Sequence, residues 1–548
     1  MKNLLLFLFA VLLITLFSTC SFIYPLNPWD DANVYMTIGN AMLSGKELYV
    51  DIFDHKGPVL FFLHEWSAML SRSSFVGIYL VEIVCCYFYL LYSLKTLKMI
   101  NTPSDKEASL LGGGMEGAFV CLLGIITYSS DFFSYGDSVE EFSLPILAHS
   151  LYHMLRFVRE REAPSRLQSF IIGVCVALVF WMKFNILFFY FGGFLALLFI
   201  AWRHKQMNEL LRAILWVTAG FAMVTALVLA YFAVHGTLDT LWESYFMVNF
   251  LRYHGASTNG EPPFWWFKLV KLGIWAVLMT PIFFLRADRE VKWLLCGTYG
   301  VLVLSFATLT VQFYYFLTLF PFFALAPLLL TPSNSPLQGK KQSSTAVPPA
   351  PDRREEGIVN SAAQKASPFR GRFGGVLRYG GISLIALLAI ATNWNLVTLL
   401  NGTFPHCVFE MADIINQNES DDSEVLTFSS YDTGIYQHTR HLPPNRNFFL
   451  SSILDPEIKR EQAEWVASGK IKYLVREIGA VSTCHEYYDV PVPDNYHLIY
   501  DEEELFRYRF IWTPLKFLWN LTWPRPLLKF VMEPVTVNQR MQVYERRP

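Results

Sequence analysis

Apolar stretches near bilayer length recur along this chain, and the loops between them alternate in charge. A helix crossing a bilayer needs about 17–25 mostly apolar residues. Reading for such runs gives spans at Leu4–Ile23, Phe75–Leu94, Gly112–Tyr128, Phe142–Phe157, Leu167–Trp181 and Ile186–Trp202. Further spans follow at Ala213–Ala233, Phe267–Leu285, Val291–Leu309, Val311–Leu330 and Ile382–Leu400. Every second connection is basic: Lys95 and Lys98; Arg156, Arg159, Arg161 and Arg166; Arg203, Lys205 and Arg212; Arg286, Arg289 and Lys292. The loop from Thr331 to Arg378 has eight Lys/Arg against three acids. Basic loops stay on the cytoplasmic side. With Lys2 inside and an odd number of spans, about eleven, the C-terminus is expected outside.

Composition agrees. Of 548 residues, 53% are apolar and only 16% charged, where soluble domains carry about 25% charged residues. A net charge of −2 gives no electrostatic footprint for nucleic acid. The expected architecture is a mainly α, polytopic membrane protein. Residues 1–330 form the transmembrane module, with an outer-face loop at 24–73. A cytoplasmic linker rich in Pro, Ser and charge occupies 331–378, and a last transmembrane helix 379–400. Residues 401–548 form a small extracytoplasmic α/β domain. In that domain "EVLTFSS" reads as a strand, "EIKREQAEWVASG" as a helix and "KIKYLVRE" as a second strand. The tail "FIWTPLKFLWNLTWPRPLLKF" has the Trp, Phe and Lys mixture of an interface-hugging segment.

The sequence contains no Walker loop, HExxH or CxxC, so P-loop and zinc motifs lend it no support. Six cysteines lie in or beside spans and read as packing residues. Cys407 and Cys484 are the pair in the outer domain, where a disulfide and two separate thiols are equally open. Met1–Cys20 reads as an uncleaved first helix, because Lys2 alone stands for a charged signal region.

Against this background one strip stands out. "PWDDANVYMTIGNAMLSGKELYVDIFDHKGP", Pro28–Pro58, packs five acids, two lysines and a histidine between apolar segments. Val34, Ile38, Ala41 and Met42 have helical spacing, which predicts a helix on the membrane surface with Asp30 and Asp31 at its N-terminus, where acids suit the dipole and Asp30 can cap. The apolar piece from Pro58 to Ser71, interrupted by His64 and Glu65, is expected to be interfacial or re-entrant. Glu82 and Glu116 fall in spans, towards their inner halves, and read as helix–helix hydrogen-bonding groups. His64, His149 and His153 read as packing or interfacial residues, and "FYYFLTLFPFF" as lipid-facing and packed surface.

The strip resembles the first outer loop of GT-C superfamily membrane glycosyltransferases, in the branch of the family 39 protein mannosyltransferases, aminoarabinose transferases and RgtA-type transferases. The shared pattern is an Asp four residues before an aromatic (Asp31, Tyr35), a "G..Y.D" element (Gly45–Asp51), and a Lys shortly before Pro ahead of an apolar run (Asp54–Pro58). "YGDSVEEFSLPIL" from Tyr135 is similar to their second outer loop, "WMKFN" at Trp181–Asn185 to a lysine-bearing break between spans, and "VNFLRYHG" from Val248 to a polar loop. His55 stands where the aminoarabinose transferases have Glu, so donor-sugar contacts do not carry over.

The resemblance implies an inverting glycosyltransferase that moves a sugar from a polyprenyl-phosphate donor to a glycan, lipid or protein acceptor at the outer face of a bacterial inner membrane. It implies Asp31 as base and Lys56, His55, Lys183 and Arg252 as donor-phosphate contacts. Asp30, Tyr35, Asp54, Asp137, Glu140, Glu141 and Asn249 would orient acceptor or sugar. No cofactor is called for, and a divalent metal is left open. The bland reading of the lysines is snorkelling to headgroups. The competing function is a polytopic transporter or lipid-linked-sugar flippase, which would need neither the charged first loop nor the outer domain. A sensor or scaffold presenting that domain is a third possibility.

Overall fold

The computed structural model describes residues 2–101, 115–252, 273, 277–308, 313–330, 383–391, 393–401, 406–417, 424–428, 432, 434–439, 441–449, 456–478, 490–508 and 535–547. The expected linker 331–378, Cys484 and the aromatic tail at 510–530 lie outside the described residues.

Lys2–Phe17 has one charge and no helix breaker, and forms α1. The strip then folds as two short helices, α2 (Asp30–Leu43) and α3 (Pro58–Leu70), the second opened by a proline where its missing N–H costs nothing. Long helices follow: α4 (Val76–Asn101), α5 (Met115–Ser129), α6 (Val139–Glu160), α7 (Arg166–Met182), α8 (Phe188–Arg203) and α9 (Met207–His235). Wide π-type turns, Trp242–Arg252, come next. Among the described residues, three helices are long and apolar enough to cross a membrane, and four shorter apolar ones accompany them. The last expected span is two helical pieces, 383–391 and Trp394–Asn401. At the second, Asn395 donates to the carbonyls of Phe17 and Ser134.

The helices separate two polar ends, as the alternating loops predict. At one end Arg159 donates to the Met99 carbonyl, and Glu290 pairs with both Arg161 and His204. At the other lie α2, α3, the Asp54–Gly57 loop and the C-terminal domain.

That domain has a four-stranded sheet, β1 (Val425–Phe428), β2 (Tyr473–Ile478), β3 (Tyr496–Tyr508) and β4 (Val535–Arg546), in the order β1-β2-β4-β3. β1 and β2 run parallel, with Val425 opposite Tyr473, and the Pro456–Ala467 helix lies in the crossover that parallel strands require. Both strands and the helix are those expected from sequence. One sheet face packs its own small core of Leu426, Phe428, Val466, Ile471 and Leu474. Val425, Tyr473, Val475, Met541 and Val543 instead join the main core of the membrane module. The domain is therefore docked rather than tethered.

Docking changes the expectation for α2. A surface helix should show one buried face, yet every residue from Ala32 to Met42 is buried. The apolar side packs on α3, so closely that a Cβ on Gly39 would strike the His64 backbone. The polar side meets the domain, where Thr37 donates to Asp432 at 2.5 Å and Gln437 to Asn33 at 3.3 Å.

Candidate active site

Asp31 and Tyr35 stand one turn apart on α2 and share a face, as four-residue spacing requires. The loop that meets them is pinned from three sides. Tyr49 donates to the Lys56 carbonyl at 2.6 Å, Asn249 to the His55 carbonyl at 2.7 Å, and the Gly57 N–H to the Met182 carbonyl at 3.0 Å. A Cβ at Gly57 would run into the Trp181 carbonyl, so only glycine lets the loop lie against the end of α7. Lys56 is thereby held buried, its Nζ 3.8 Å from Asp54 Oδ2, 3.9 Å from Asp31 Oδ2 and 5.3 Å above the Tyr35 ring.

A second limb arrives from elsewhere in the chain. Lys183 ends α7 in extended backbone, which breaks the helix and turns the side chain into the site. Its ammonium donates to Glu140 Oε1 at 2.6 Å and lies 3.7 Å from the Tyr315 ring centroid and 5.5 Å from that of Tyr314. The Tyr314 hydroxyl lies 3.5 Å from Asp31 Oδ2, and its ring meets Trp29 edge-on. Two lysines, their carboxylate partners and an aromatic wall thus converge on Asp31.

The carboxylates differ in access. Asp54 shows only 3% of its side chain and Asp31 28%. Burial alone would raise the Asp54 carboxyl, but Lys56 and His55 outweigh it and hold it below the usual carboxylate range. His55 lies 2.7 Å from Asp54, yet burial and the Lys56 ammonium keep its imidazole below its ordinary value. Lys56 heads the attraction at Asp54, and the His55 ring and backbone N–H add to it. Asp30 faces away, and burial with the charges of Glu477, Asp31 and Asp432 pushes it up. It opens the helix rather than capping it, because Trp29 holds the cap position without a side-chain bond.

Of the residues picked out by sequence, Asp31, Tyr35, Asp54, His55, Lys56, Glu140 and Lys183 come together, with Asn249 bracing the loop from behind. Asp137 and Glu141 belong to a separate buried cluster. Ser18 donates to Glu82 at 2.7 Å, the Asp137 N–H points at Glu82 and Glu141, and His64 Nε2 lies 3.0 Å from both Asp137 oxygens. The Arg252 side chain lies outside the described residues. Sequence reasoning missed Tyr314 and Tyr315, which belong to the run read as lipid-facing and packed surface; most of that run is buried, and nothing in it marks the two whose rings face Lys183. His64, read as packing, is paired, and its interruption of an apolar helix was the available signal. Glu82, placed towards the inner half, lies level with the end of α1 at the site end.

No protein-family model matches the sequence, and no curated protein matches it. In structure the chain is similar to ArnT, an aminoarabinose transferase, from Cupriavidus metallidurans bound to undecaprenyl phosphate. That similarity has a TM-score of 0.54 at 11% identity over 86% of this chain and 92% of the other. The apo state of the same protein aligns with a TM-score of 0.52 at 11% identity, over 82% and 88%. The likeness is one of fold, over most of both chains.

Proposed function

We propose that this protein is an inverting glycosyltransferase that takes a sugar from a polyprenyl-phosphate donor and places it on an envelope glycan, lipid or protein. The site would face the extracytoplasmic side of a bacterial inner membrane, with the N-terminus in the cytoplasm. The observation that carries the reading is the unequal pair of carboxylates around Lys56: Asp54 is sealed in as counter-ion, whereas Asp31 is reachable and lies beside Lys56, with Tyr314 between it and Lys183. The likeness to a protein with undecaprenyl phosphate bound supports the donor class.

In the proposed step the acceptor hydroxyl gives its proton to Asp31 and its oxygen attacks the anomeric carbon in line. The bond from that carbon to the phosphate oxygen breaks, and its electron pair leaves with polyprenyl phosphate. Lys56 and Lys183 neutralise the growing charge where little water screens it. The carboxylates stabilise the oxocarbenium character of the transition state, and the scheme uses no cofactor.

Binding of undecaprenyl phosphate to the purified protein, followed by native mass spectrometry, tests the donor assignment. Lys56→Met should weaken it at least ~10-fold, the value of a charge-assisted contact. Lys56→Arg should restore only part, since a guanidinium fork fits the space of an ammonium poorly. A Lys56→Met protein that binds as tightly as wild type removes Lys56 from the phosphate site.

A further inference from the structure

His64 touches both limbs of the site without reaching it. Its ring meets Tyr35 edge-on, with centroids 5.4 Å apart, and Lys56 lies over that same Tyr35. On its other side Nε2 contacts Asp137, which immediately precedes Ser138, the cap of α6. In the first turn of that helix stands Glu140, the partner of Lys183. His64 and Asp137 are both fully buried.

Two features show that this contact is imposed. Asp137 has φ +60°, a left-handed conformation uncommon for a non-glycine residue, though Asp takes it more readily than most. Its N–H is shared between Glu82 and Glu141, at 2.8 and 3.1 Å, and its carboxylate is taken by His64. Hydrogen-bond accounting defines the imidazole. Nδ1 lies 2.8 Å from the Leu60 carbonyl, which can only accept, so Nδ1 carries a proton. Nε2 faces two carboxyl oxygens, so one further proton lies between the two side chains. The pair is neutral as a unit, which lets it lie in the apolar interior.

We infer that His64 and Asp137 are a positioning pair that sets where the two lysines stand: Lys56 through Tyr35, and Lys183 through the start of α6 and Glu140. The inference rests on the proposed site but acts through contacts that need no donor. With the pair broken, the Asp137 turn relaxes, Glu140 moves with it, and the edge contact that holds Tyr35 under Lys56 is lost.

The test is His64→Gln, with Asp137→Asn as a second variant that keeps the side chain's size and removes its charge, each purified and checked for an unchanged melting midpoint. Acetic anhydride labelling of individual lysines, mapped by mass spectrometry, should speed up several-fold at Lys56 and Lys183, with exposed Lys470 unchanged as control. Undecaprenyl phosphate affinity should fall about 10-fold, the scale of a modest misplacement of site groups. His64→Gln combined with Lys183→Met should lose more than Lys183→Met alone but less than the sum of the two single losses, because the two share the Lys183 limb while the Lys56 limb remains. Unchanged labelling of both lysines in folded variants, or fully additive losses, overturns the inference. If wild type binds no undecaprenyl phosphate, the donor proposal falls, and the labelling result still decides the positioning role.

Discussion

Asp31 and Asp30 are neighbours with opposite circumstances, and the difference is argued from single side chains. Asp31 shares a face with Tyr35, lies 3.9 Å from Lys56 and is reachable. Asp30 turns towards the acids of the outer domain, which disfavour its charge. Asp31→Asn keeps shape and removes the base, so turnover in reconstituted membranes should fall at least ~10²-fold, with donor affinity kept. Asp30→Asn relieves repulsion and should leave turnover within a few-fold. An active Asp31→Asn beside a dead Asp30→Asn would reverse the assignment. The Asp31–Tyr35 spacing was legible because helical periodicity alone brings i and i+4 together. Tyr314 was not, because its partner is 283 positions away.

Helices in this protein meet through backbone where the site demands it. The Asp54–Gly57 loop can brace Lys56 only by lying on the Trp181–Met182 backbone, and Gly57 is the residue that allows it. Gly57 has an ordinary φ of −74°, so the demand is for space and not for unusual torsion. Gly57→Ala should therefore push the loop off α7. Overpacking of this kind costs about 1–3 kcal/mol, and it should lower the melting midpoint and donor affinity together. A Gly57→Ala protein with wild-type values for both would show that the loop is not wedged there. The break between α7 and α8 was visible in "WMKFN", where a lysine interrupts an apolar run. Its target, Glu140, was one of two adjacent candidates, and the turn of α6 chose between them by burying Glu141 in the other cluster.

At the scale of the whole molecule, the C-terminal domain closes over α2 through a carboxyl. Asp432 is fully buried, and burial raises it from an ordinary 3.8 to about 6, against the bonds from Thr37 and Gly434 that favour its charged form. A raised carboxyl favours the folded state while protonated. That stability is complete below pH 3.8 and is lost as pH rises through about 6. The loss is on the order of 3 kcal/mol. Asp432→Asn mimics the protonated acid, so its melting midpoint should match wild type near pH 4 and exceed it at pH 7.5. Parallel pH profiles for the two proteins would mean that this carboxyl is not sealed at the domain contact.

Sequence by itself determined the membrane-protein class, the two polar ends, two of the domain's strands and the helix between them, and the first-loop residues that approach one another along the chain. These follow from local quantities: apolar run length, loop charge, and the periods of helix and strand. Which face of α2 would be covered, which tyrosines would turn inward and what His64 would pair with were decided by tertiary structure. Each of those outcomes depends on which distant element supplies the other half of the contact. A buried charge or polar group inside an apolar run must find a partner, so the sequence marks the need for one, and only the fold selects it.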